Sequence, residues 1–167
     1  MTRPALLSET QALLGALDAE RNHVLGILDG LSEEDLRRAV LPSGWTCLEL
    51  VRHLALDVER FWFRAVVAGE TVELESGDGG WRVPPGVPAV DVFDLYRREI
   101  AFANAIIAAT PLDAAPAWSP NDLFGDWPAR ELRRTILHVL TETATHAGHL
   151  DAVRELIDGR TWLILTE

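Results

Sequence analysis

The sequence contains no lysine; all fifteen of its basic residues are arginine. Schiff-base catalysis and a lysine-dependent phosphate loop are therefore excluded. Cys47 is the only cysteine. An internal disulfide and a multi-cysteine zinc cage are ruled out, and a reducing, cytoplasmic setting fits. No segment reaches the ~18 consecutive apolar residues of a membrane span. Met1 to Leu7 lacks the apolar stretch of a secretion signal. Internal repeats, low-complexity tracts, a Ser-His-Asp motif and a glycine-rich phosphate loop are all missing. Positive charge is also in deficit. A formal net charge of -11 repels nucleic-acid phosphates and anionic membranes, so neither is an expected partner.

What is present is the pattern of a helical domain. The 167 residues suit one domain covering 1–167, and a hydrophobic content of 48% allows a core of useful size. Four long helices are predicted. The first covers about Ser8 to Asp29, with Leu13, Leu17, Val24 and Leu28 at helical spacing and Gly30 as its stop. Ser32 to Asp35 reads as a capping box on a short helical turn. Thr46-Cys-Leu-Glu49 repeats that signal and opens a second long helix ending near Gly69. The third covers about Val90 to Ala109. Its expected inner face is Phe93, Tyr96, Ile100, Ala103 and Ile107, and Tyr96 needs a partner for its hydroxyl if fully buried. The fourth begins near Pro128, a favoured first helical residue, and ends at Gly159. Its seam of Leu132, Ile136, Val139, Thr143, His146, Leu150, Val153 and Ile157 has the rhythm of a bundle. The fold class is thus all-α, a four-helix bundle with two long loops, 71–88 and 111–127. Trp81, Arg82, Trp118 and Trp127 sit in those loops. Long loops often cover a site, although tryptophans also plug bundle ends.

The residues able to carry chemistry concentrate on the last helix: His138, Glu142, His146 and His149. Glu142 and His146 are one turn apart and project to the same side, a common way for a helix to grip a metal. His146 holds a seam position that would otherwise be Leu or Val, and a carboxylate at the seam's edge needs a partner. A core histidine with one hydrogen bond is the plainer alternative. His149 and His138 project further toward the rim, as surface residues, supporting partners or substitute ligands. His53 shares a polar strip with Glu49, Asp57, Arg60 and Arg64 on the second helix. That strip is either the solvated side or the wall of a cleft. In the second case Asp57 is placed to orient the His53 imidazole. Cys47 lies at a helix start, where the dipole lowers a thiol pKa, but a lone cysteine is more commonly a small core residue.

Four stretches, Leu31-Ser-Glu-Glu-Asp-Leu36, Ser43-Gly-Trp-Thr46, Leu50-Val-Arg-His-Leu54 and Glu142-Thr-Ala-Thr-His-Ala-Gly-His-Leu-Asp151, resemble the DinB-like superfamily. The nearest likeness is to bacterial proteins related to the N-terminal domain of mycothiol-dependent maleylpyruvate isomerase. The resemblance runs through nearly the whole chain in order. It implies a four-helix bundle with a divalent metal on its inner surface. Many members use three histidines, and in the isomerase-like branch a glutamate replaces one of them. Carried over residue by residue, the implied ligands are His53, Glu142 and His146. The isomerase has a second domain that contributes to its active site. Nothing comparable follows the last motif here, so maleylpyruvate isomerisation is not carried over.

Two imidazoles and one carboxylate leave an open coordination position, the pattern of a catalytic site. Zinc is the first expectation, with nickel, iron or manganese as alternatives. The relatives imply mycothiol or another low-molecular-weight thiol as co-substrate. The expected function is a metal- and thiol-dependent transferase or isomerase acting on a small molecule, with Arg82 holding an anionic group and a homodimer as the expected assembly. A non-enzymatic metal- or ligand-binding bundle is the alternative. A bundle without metal, in which Glu142 pairs with Arg or His, is a third.

Overall fold

The computed structural model describes residues 8–74, 77, 79–125 and 130–162. The starts of the first two long helices follow the local signals, whereas the last begins at Leu132, beyond the expected Pro128. Helix α1 (Glu9–Leu28) is capped by Ser8, whose hydroxyl accepts from the Gln11 amide while the Gln11 side chain answers the Ser8 amide, and Gly30 follows its end at a φ of 79°. Ser32 caps the short α2 (Glu33–Leu36). Thr46 and Glu49 form the capping box of α3 (Cys47–His53). Each box satisfies two amides that the helix itself leaves open.

The second long helix departs from expectation beyond His53. It continues through Leu54–Val67, wound as a π-helix, an arrangement usually confined to single turns and frequent at functional sites. After it come α4 (Ala89–Ala109), the short α5 (Asn121–Phe124) and α6 (Leu132–Asp158). Among the described residues there is no strand. Pro128 and Trp127 lie outside the described residues. Glu131 precedes α6, and Gly159 closes it in the left-handed conformation that favours glycine.

The four long helices pack as two pairs, α1 against α6 and the π segment against α4, and α3 and the π segment also meet α6. The core runs between them. It takes Leu17, Val24, Ile27 and Leu28 from α1, Tyr96, Ala103 and Ile107 from α4, and Leu132, Ile136, Val139, Leu150 and Val153 from α6. Two expected faces are rotated slightly. On α4, Val92 and Glu99 are buried where Phe93 and Ile100 were expected, and those two are only partly covered. On α6, Ala147 is fully buried and His146 lies at the edge of the seam.

The interior also holds charge. Arg21 of α1 donates from Nε and Nη2 to Glu59 of the π segment, at 2.7 and 2.6 Å, and from Nη1 to Asp18 and Asn104. Glu99, also buried, accepts from Arg60 and Arg64. Buried charges persist only when paired in this way. The Tyr96 hydroxyl is buried beside this group and, among the described residues, has no hydrogen-bond partner, so the partner expected for it is not found there.

Candidate metal centre

The helix that begins at Thr46 carries His53 to the point where α-winding gives way to π-winding. One turn further on, Asp57 Oδ2 lies 2.8 Å from His53 Nδ1. A carboxylate accepts, so Nδ1 carries a proton and donates it to Asp57. The His53 side chain is only 16% exposed. It lies in a cleft rather than on the solvated side, because the indole of Trp81 stacks on it at 4.2 Å between ring centroids and 14° between planes. Trp81 therefore does more than plug a bundle end. The chain reaches it through Gly80, where a side chain would displace the Asp57 carboxylate. An added Cβ would lie 2.2 Å from the Asp57 carboxylate.

Helix α6 brings His146 to the other side of this cleft. The His53 and His146 rings meet edge to face, with centroids 5.1 Å apart. His146 Nε2 is 3.8 Å from Glu142 Oε2, and the two side chains are 14% and 40% exposed. Its other nitrogen, Nδ1, is 3.5 Å from Nδ1 of His149. Burial, then the neighbouring imidazoles of His53 and His149, push the His146 pKa down to about 4, so it is a neutral donor at pH 7. His53, His146, Glu142, Asp57 and His149 are thus brought together. His138 is not. It packs edge-on against Trp62 with centroids 4.7 Å apart, where burial lowers its pKa.

Among the described residues, no three His, Cys, Asp or Glu side chains are already disposed as a metal-binding group. Trp81 covers His53, and Glu142 stands off from His146 beyond hydrogen-bonding distance. A cleft of about 430 Å³ opens beside these residues, lined by Trp45, Glu49, Trp81 and Arg82 among others. The Arg82 side chain is 70% exposed at its rim, 3.5 Å from Glu49. Trp45 turns toward His149. Sequence reasoning missed the two tryptophans as walls of the site. The Ser43-Gly-Trp45 motif and the position of Trp81 in a long loop were the available signals. Cys47 is buried, and burial raises its thiol pKa to about 11. The core reading of this residue holds over the reactive one.

Comparison with known proteins gives a consistent result. No curated protein matches the chain significantly. A conserved protein from Enterococcus faecalis shares the fold, with a TM-score of 0.66 over 93% of this chain and 100% of that one, at 14% identity. The pattern of the mycothiol-S-transferases, a DinB-like family, matches residues 12–159, spanning all four long helices and the cleft between them. The chain belongs to the mycothiol-S-transferase family.

Proposed function

We propose that this protein is a metal- and thiol-dependent transferase, in which His53, Glu142 and His146 hold a divalent cation. The observation that carries the reading is the meeting of two imidazoles from different helices, with His53 already oriented by Asp57. An imidazole whose second nitrogen is bound by a carboxylate is the usual form of a histidine ligand. The donor set fits a divalent ion. His146 is neutral at physiological pH, His53 is held through Nδ1 by the Asp57 carboxylate, and Glu142 offers a carboxylate one turn from His146. Zinc suits two imidazoles and a carboxylate, and nickel, iron and manganese are compatible. Rotation of Glu142 and displacement of Trp81 would complete the set. His149 is positioned to orient His146 or to substitute for Glu142.

When bound, such a cation lowers the pKa of a thiol and so supplies a thiolate at neutral pH. The chain's own residues do the rest. Asp57 fixes the His53 tautomer. Trp45 and Trp81 wall the cleft and present flat apolar faces to a sugar-bearing thiol such as mycothiol. Arg82 holds an anionic group at the rim. The acceptor is a small electrophile.

The test starts with elemental mass spectrometry on protein purified without a histidine tag, beside His146→Ala. About one metal per chain, lost in the variant, is the expected result. Metal-loaded protein should then consume mycothiol in the presence of an alkylating electrophile, and His146→Ala should not. Negligible metal in both proteins, after reconstitution with zinc, nickel, iron and manganese, would overturn the reading.

A further inference from the structure

A second cleft lies on the other flank of Asp57. It has a volume of about 360 Å³, and its floor is made by Leu56, Phe61 and Trp62 of the π segment. Phe124 of α5 closes it, edge-on to Phe61 with centroids 5.9 Å apart. Phe61 and Trp62 are themselves in edge-to-face contact at 5.1 Å. Leu74, Leu123 and Phe124 stand exposed at its mouth. Large apolar side chains held at the surface around a cleft mark a binding site more than scattered ones do. The polar members of the wall are both acids, Asp57 and Glu73, and no arginine lines it among the described residues. This contrasts with the cleft at Trp45 and Trp81, which has Arg82 at its rim.

We propose that this aromatic-floored, acid-walled cleft binds a small aromatic molecule that is cationic, and that this molecule is the electrophilic acceptor of the reaction. The acceptor role rests on the transferase reading; the binding role does not. Aromatic rings and carboxylates together select an organic cation, through ring faces and charge, and repel a carboxylate ligand. The net charge of -11 adds attraction at long range. Asp57 connects the two halves of the site. Its carboxylate accepts from His53 and the residue also lines this cleft, so a molecule seated here sits one residue from the imidazole of the proposed metal site. As acceptor, its reactive carbon forms a bond to the thiolate sulfur while the bond to the leaving group breaks. The leaving group departs with the bonding electron pair, and the proton of the thiol passes to solvent.

Isothermal titration of the full chain with two matched probes, (naphthylmethyl)trimethylammonium and naphthylacetate, tests the proposal. The cation is expected to bind roughly tenfold more tightly. Phe124→Ala should weaken it about fivefold, and Glu73→Gln should narrow the preference about threefold. Circular dichroism checks that both surface variants remain folded. Equal binding of the two probes, or a Phe124→Ala protein that binds the cation as well as the parent does, overturns the proposal. Thiol consumption with a benzyl halide that carries a ring trimethylammonium group, run beside the neutral benzyl halide, reads the other half separately. Cation binding without thiol consumption keeps the cleft and ends the transferase reading. Thiol consumption without cation binding keeps the transferase and overturns the cleft.

Discussion

Cys47 shows how position and environment oppose one another at a single residue. The start of α3 favours a thiolate through the helix dipole, but the thiol is buried in the core, and burial dominates, lifting its pKa to about 11 from an ordinary 9.0. A disulfide reagent at pH 8 should leave the native protein unmodified and titrate one thiol after denaturation. The sign for stability follows. The unfolded thiol ionises above its ordinary value while the folded one does not, so its contribution is complete below pH 9 and is lost as pH rises toward 11. The loss approaches about 2 kcal/mol for a shift of this size. Cys47→Ala should remove that part of the alkaline slope in denaturant titrations. Burial also raises the Tyr96 hydroxyl well above its ordinary range, so a residual slope in the same direction should persist at higher pH. Gly80 offers a second test at this scale. A Cβ there meets the Asp57 carboxylate, which has to shift from its place beside His53 to make room. Gly80→Ala should therefore disturb the imidazole's support and weaken metal affinity roughly 10–100-fold, read by competition with a chelator. An unchanged affinity would show that Asp57 does not orient His53 in the metal-bound state.

At the scale of elements, what is local was legible and what is long-range was not. Ser8, Ser32 and Thr46 announce their helices because capping uses residues three apart. The π winding after His53 could not be read from spacing that assumes 3.6 residues per turn. Nor could the burial of Glu59, whose partner Arg21 is 38 residues away. Arg154 is a similar case on α6. It lies buried within the seam, donating to the carbonyls of Ile27 and Asp29 at 2.7 and 2.9 Å and, through the rest of its guanidinium, to Asp158. It thus satisfies carbonyls that the C-terminus of α1 leaves open, and it fastens α1 to α6. Arg154→Ala should cost about 3 kcal/mol, from lost charge-assisted hydrogen bonds and buried carbonyls left without donors. The melting temperature should fall by roughly 6–12 °C with metal content unchanged, since the contact lies toward the far end of α6 from Glu142. Loss of metal along with stability would mean that the pairing of α1 with α6 also sets the position of His146.

At the scale of the whole molecule, the site draws on helices from both packed pairs. Glu142 and His146 come from α6, which packs with α1, and His53 comes from the helix that packs with α4. The i, i+4 pair was legible because one helix face carries it. His53 entered as a proposed third ligand only through the family resemblance, since no periodicity within one helix says which other helix will face it. Among the described residues, no helix is long and apolar enough to cross a membrane, in keeping with the scattered arginines of the sequence. The proposed ligand set bridges the two pairs and can form only in the folded chain, where His53 and His146 meet. A cation that binds the native state and not the unfolded one stabilises it by mass action, by about 2.7 kcal/mol at one hundred times its dissociation constant. For a chain of this length that corresponds to a rise of roughly 5–10 °C in melting temperature. The rise should appear with zinc, reverse on chelation, and vanish in His53→Ala as well as in His146→Ala. A rise that survives His53→Ala but not His146→Ala would place the metal on α6 alone, with His149 completing the set, and would remove the bridge on which the transferase reading depends.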